Sequence, residues 1–174
     1  MRDRVILGFI SGLGGTVAKN YLVAYLKKRG LAELNGIETA AGILLPGYKV
    51  ATPGGKVVGN IVNMLIGGTM GVGLTYLLST TGNNNATFKG ASYGACIWGL
   101  LYGAIASMGG STVRPVLPKA LLSNLAGHIT YGVITSILIT RVGDEGLFNG
   151  TIPLFVNNTG NIEKEDNSID TFLN

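Results

Sequence analysis

Four apolar runs dominate this chain: "VILGFISGLGGTVAKNYLVAYL" (5–26), "VVGNIVNMLIGGTMGVGLTYLL" (57–78), a third over 88–108, and "KALLSNLAGHITYGVITSILIT" (119–140). Each approaches the roughly 20 residues an α-helix needs to cross a bilayer core. Turn or charge signals bound them: "KKRG", "TPGGK", "TTGNNNATFKG" and "GGSTVRPVLPK". The expected fold is all-α: a polytopic membrane protein whose residues 1–142 form four transmembrane helices in a glycine-rich bundle. The first run is rich in polar residues, lacks a small-residue cleavage site and ends on charge, so it reads as a span rather than a signal peptide.

Charge agrees with that solvent. Only 13% of the residues are Asp, Glu, Lys or Arg, against about 25% in soluble domains. Residues 1–146 hold 12 Lys/Arg and 5 Asp/Glu, a net +7, while 147–174 hold 1 and 4, a net −3. The positive charges fall between the apolar runs rather than along a polar face, which excludes a nucleic-acid partner. Cys96 is the single cysteine and His128 the single histidine, so neither an internal disulfide nor a multi-histidine metal site is expected. No GxSxG, HExxH, CxxC or Walker pattern occurs, and "GFISGLGG" follows no strand. No enzyme activity, catalytic residue, metal or cofactor is expected.

Glycine inside a helix costs roughly 1 kcal/mol relative to alanine, yet the chain carries 28. In lipid, small residues let helices approach closely, and that packing replaces the hydrophobic drive. Gly8, Gly12 and Gly15 share a face of the first run. In the third, Gly90 and Gly94 lie opposite Ser92, Cys96, Gly99 and Gly103. A helix that is small on two sides accommodates two neighbours, so the third run is expected inside the bundle, with Gly99 and Gly103 as packing residues. A two-helix internal repeat is also suggested: Gly8-x3-Gly12 aligns with Gly90-x3-Gly94, and Asn63-x3-Gly67 with His128-x3-Gly132.

Polar residues within the spans define the functional choices. Lys19 shares the glycine face of the first run. Asn60 and Asn63 share a face with Gly67 and Gly71, and Asn124, His128, Tyr131 and Thr135 share one in the fourth. Dispersed, they serve as interhelical hydrogen-bonding groups in a non-enzymatic module: an anchor, scaffold or accessory subunit packing through its small-residue faces. Its partners are then the lipid bilayer and either copies of itself or other membrane subunits. Convergent, they line a polar path near Lys19, Asn63 and His128, as in a small transporter or channel. The four runs contain no Asp or Glu, and ion-coupled transport usually places a carboxylate there. The expectation is therefore the scaffold, with a dry, close-packed interior. In the 27–56 connection, the stretch 31–46 is too short to cross and reads as interfacial or re-entrant, stopped at Pro46. Glu38 reaches the interior only if this stretch re-enters. The polar, acidic residues 143–174 read as a soluble extension.

"FKGASYGACIWGLLYG" (88–103), followed by "LLSNLAGHITYGVITSILI" (121–139), resembles the paired helices of uncharacterised four-span bacterial membrane proteins of the YqhR-like type. Lys89-Gly90-x2-Tyr93-Gly94-x3-Trp98 and His128-x2-Tyr131-Gly132 carry the resemblance. It covers roughly 1–142, departs at Asn63, where a histidine is usual, and leaves the 27–56 connection and the acidic tail unmatched. It implies a multi-pass protein of the bacterial plasma membrane and no established reaction. Basic residues of the 27–56 connection, the 109–118 loop and Lys119 number seven, against four at Arg2, Arg4, Lys89 and Arg141. Positive loops stay cytoplasmic, which places both ends of the bundle outside.

Overall fold

The computed structural model describes residues 1–32, 36–105, 108–113 and 117–148. The tail from 149 onward therefore lies outside the described residues. All regular structure among the described residues is helical: α1 (Arg4–Lys28), α2 (Gly36–Leu44), α3 (Pro53–Thr81), α4 (Ala86–Trp98) with a π-helical continuation Gly99–Ile105, and α5 (Pro118–Val142), plus two short 3-10 turns. Local chemistry sets several ends. Asp3 Oδ1 accepts the Ile6 N–H at 2.8 Å, and Thr52 Oγ1 accepts that of Gly55 at 3.1 Å. These satisfy first-turn donors of α1 and α3. Pro53 and Pro118 open their helices, where a missing N–H is harmless. Lys27 and Lys28 complement the negative end of α1.

Three helices are long and apolar enough to cross a membrane: α1, α3 and α5, of 25, 29 and 25 residues. Their burial is inverted relative to a soluble bundle. Ile10, Ile61, Leu65 and Leu122 are more than half exposed, while Thr16, Thr75, Thr135 and Ser136 are fully buried. Apolar side chains outside and small hydroxyls between helices suit a lipid solvent. The buried hydroxyls of Thr16 and Thr75 close on their own helix, donating to Gly12 O and Gly71 O.

The third apolar run is built differently. Its α-helical part, α4, has 13 residues, about 20 Å at 1.5 Å per residue, against a hydrocarbon core of ~30 Å. From Gly99 the winding loosens into π-helix. The run is also the most exposed of the four, not the most enclosed. Only Gly90, Gly94 and Ile97 of α4 are buried. Ser92, Cys96, Gly99 and Gly103 face outward, and a Cβ on Gly99 or Gly103 meets no atom within 4 Å. Two small faces exist as expected, but α5 occupies only one of them.

The helices run antiparallel to their neighbours, with α1 between α3 and α5, and α4 packed on α5 and reaching α3 through Tyr93, whose hydroxyl donates to Met70 O at 2.8 Å. Gly8 and Gly12 meet Gly71 and Gly67 of α3 so closely that a Cβ on Gly8 would lie 2.5 Å from Val72 Cα. Gly90 and Gly94 meet Gly132 and His128 of α5 in the same way, and Gly15 abuts Tyr131 and Thr135. Gly12 packs on Gly67, and Gly94 packs on His128.

Both ends of the bundle meet at one side. The Met1 ammonium donates to Val142 O at 3.0 Å, Arg2 pairs with Asp144 at 3.2 Å, and Arg4 donates to Ser79 Oγ. The Gly146 amide, then Arg2, hold the exposed Asp144 carboxyl below the usual carboxylate value. The start of the polar extension is part of the core: Leu147 and Phe148 pack with Leu7, Leu74, Leu78 and Ile139. Burial of these two apolar side chains outweighs the polar composition around them.

Candidate functional site

Lys19 occupies the inward face of α1, nine residues before its end at Lys28, or about 14 Å along the axis. It is only 9% exposed. Its ammonium donates to Asn63 Oδ1 of α3 at 3.0 Å, and Asn63 Nδ2 donates to Asn20 Oδ1 at 3.1 Å. Asn63 thus orients its amide by accepting from a cation on one side and donating to a second amide on the other. Lys19 forms no ion pair among the described residues. An unpaired lysine near mid-span costs about 2.5–3.5 kcal/mol on insertion scales, so its surroundings matter.

Those surroundings are a cavity. Lys19, Asn63 and His128, from three different helices, line a space of about 70 Å³. A water needs some 10–15 Å³ in this measure, so a handful of water-sized molecules fit. The start of α2 closes one wall with Gly36 and Thr39, while Tyr102 of the π-helical segment and Ser111 close another. A smaller chamber of about 20 Å³ shares Lys19 and His128 and reaches Tyr131. The expected close packing is therefore interrupted at this level. Lys19, Asn63 and His128 converge through the relative rotation of α1, α3 and α5; the first turn of α2 then adds Gly36 and Thr39, and the π-helical segment adds Tyr102 beside His128.

α5 supplies the opposite wall. His128 Nδ1 lies 2.9 Å from Asn124 O. A carbonyl only accepts, so Nδ1 carries a hydrogen, and in the neutral ring Nε2 is the acceptor at the far edge. Tyr102 stands edge-on to this ring at 5.7 Å and donates to Asn124 Oδ1 at 3.3 Å. Tyr131 donates to Gly67 O at 2.6 Å, tying α5 to α3 across the deeper chamber. Asn124 stands behind the wall, its Nδ2 given to Ala120 O. Asn60 does not join: it is exposed, one turn away from Asn63 on the outer side of α3.

α2 deserves its place in the site through two contacts. A Cβ on Gly36 would stand 3.4 Å from Lys19 Nζ and 3.3 Å from Asn63 Oδ1, so the helix begins at the level of these two side chains. Glu38, two residues on, is buried and pairs with Lys27 at 2.6 Å, not with Lys19. Ser111 Oγ donates to Thr39 O, and the Thr112 N–H donates to Gly42 O, fixing the segment after the π-helix against α2. Sequence reasoning missed Asn20, Gly36, Thr39, Tyr102 and Ser111 as lining or supporting residues. Tyr102 carried one usable signal, a phenol in an otherwise apolar stretch of the third run. Among the described residues no cluster of His, Cys, Asp or Glu could hold a metal ion.

No family model matches this chain, and no curated protein or solved structure does.

Proposed function

We propose that this protein is a multi-pass membrane protein that admits a small polar solute to the cavity around Lys19, as a small transporter or channel, without enzymatic chemistry. The observation that carries this is the convergence of Lys19, Asn63 and His128 on one cavity. Interhelical hydrogen bonding alone gives no reason for three polar groups from three helices to surround empty space. The layout supports a fourth crossing made of α4 and its π-helical continuation. α3 ends beside Arg4, Ser111 lies against α2 at the opposite end, and only this segment connects them. α2 is read as a re-entrant half-helix, because its first residue stands about 14 Å inside the end of α1. The pairing of α1 with α3 and of α4 with α5 through matching glycine pairs supports a two-helix repeat. A bacterial plasma membrane and kinship with the YqhR-like proteins are part of the same proposal and rest on the sequence resemblance.

The test is access. In a chain with Cys96→Ser, a cysteine at Ser111 should react with a small membrane-impermeant thiol reagent applied to the α2 side of reconstituted vesicles. A cysteine at Leu74, fully buried in the core, should not. An unreactive Ser111→Cys would return the reading to a scaffold. One observation keeps that second reading alive: the face of Ser92, Cys96, Gly99 and Gly103 is small and uncovered, which suits close docking of a second copy or another membrane subunit.

A further inference from the structure

Every ionic group the described structure buries has a counter-charge except one. Glu38 is buried and holds Lys27. Lys19 is equally buried, and its recorded partner is the neutral oxygen of Asn63, which occupies one of its three N–H donors. Two donors and a whole positive charge are left facing the cavity that Lys19 lines. We propose that this cavity is an anion site, and that a small monovalent anion of halide or nitrate size is the solute it takes. This inference rests on the solute-admitting reading above and names the class of solute.

Three independent features fit an anion. α2 is described from Gly36, where a Cβ would stand 3.4 Å from Lys19 Nζ, and the N-terminal end of a helix carries about half a positive charge. Half-helices beginning at membrane depth place this end against anionic groups of transported solutes. The acidic residue of α2's first turn, Glu38, is turned to Lys27 and leaves the cavity side. Finally, the volume suits a small ion: about 70 Å³ holds one such anion together with several waters. With a neutral His128 ring, one monovalent anion balances Lys19, and Nε2 accepts from a water beside it. A divalent anion would leave excess negative charge against apolar Ile43, Ile66 and Leu101 on the same wall.

The experiment uses the full chain, purified in an uncharged detergent with chloride as the only anion, and reads the excess linewidth of the chloride NMR signal. Wild type should broaden the line, and nitrate should reverse the broadening by competition. Lys19→Gln should lower the excess more than about tenfold, because a charge-assisted hydrogen bond is lost, and Lys19→Arg should restore most of it. Asn63→Asp guards against simple misfolding of the glutamine variant. It supplies a built-in carboxylate to Lys19, so the chain should remain monodisperse, thermal stability should become insensitive to chloride, and the broadening should vanish. Broadening that survives in Lys19→Gln, or that is absent from wild type, overturns the anion assignment. Cysteine access at Ser111 is measured separately, so an accessible cavity without chloride binding would sink this inference and leave the solute-admitting reading standing.

Discussion

At Gly12 and Gly99 the same residue type does opposite things. A side chain on Gly12 runs into Gly67 O and Gly71 Cα of α3, whereas one on Gly99 meets open space. Replacing Gly12 by leucine must separate α1 from α3, and overpacking of this kind costs typically 1–3 kcal/mol. The expected outcome is a clear loss of thermal stability in detergent for Gly12→Leu and Gly132→Leu, with Gly99→Leu and Gly103→Leu near wild type as monomers. Equal losses at all four positions would refute the packing described here. Asn63→Leu removes the one recorded acceptor of a buried ammonium. Leaving a buried charged donor unsatisfied costs more than the 1–3 kcal/mol of a neutral group, so this variant should unfold earlier than Asn60→Leu, whose parent side chain is exposed. The inward set on α5 (Asn124, His128, Tyr131, Thr135) was legible in the sequence, because residues spaced by three and four share a helix face. Which of two small faces is covered was not legible in the third run, since spacing records that a face exists and says nothing of what stands against it. Convergence on Lys19 was illegible for the same reason: it depends on how three helices are rotated relative to one another.

Two elements shape the cavity, and neither is an ordinary spanning helix. π-helical turns are rare, and they concentrate where function displaces regular packing. Gly99–Ile105 begins and continues on glycines that bring no Cβ to a neighbour, so little packing holds it in α-form. Its amides should exchange with solvent deuterium markedly faster than those of α5, which carries the most enclosed of the three long apolar windows. Equal protection in both segments would mean that the π-turn is as rigid as the core. α2 is held over the cavity by the Lys27–Glu38 pair, a partly exposed lysine on a buried carboxylate. Neutralising Glu38 to glutamine should loosen this cover and raise the labelling rate of Ser111→Cys severalfold. An unchanged rate would show that the Ser111 and Thr112 hydrogen bonds to α2 suffice to hold it. The sequence announced α2 only as a stretch too short to cross. Its depth comes from Gly36 and Gly59, where absent side chains let α2 lie directly on α3.

For the whole molecule, the decisive relation is which ends lie together. Met1 and Arg2 bond to Val142 and Asp144, so both ends of the bundle lie on one side, and the proposed membrane reading calls for an even number of crossings. Three long apolar helices alone would place these ends on opposite faces. The even number is met when α4 and its π-helical continuation cross as well, shorter in α-form but continuous from Ala86 to Ile105. Seven basic residues lie in or beside the connections at the α2 end, and four lie at the end shared by the termini; on the proposed four-crossing reading the positive-inside rule predicts a cytoplasmic α2 side. With Cys96→Ser as background, a cysteine at Asn84, in the turn between α3 and α4, should react with an impermeant reagent added to intact cells. A cysteine at Ala51, just before α3, should react only after the membrane is opened. The reverse pattern would invert the protein without altering its fold. Reaction of both from outside would mean that α3, at 29 residues the longest apolar helix, does not cross, and the membrane architecture itself would fall.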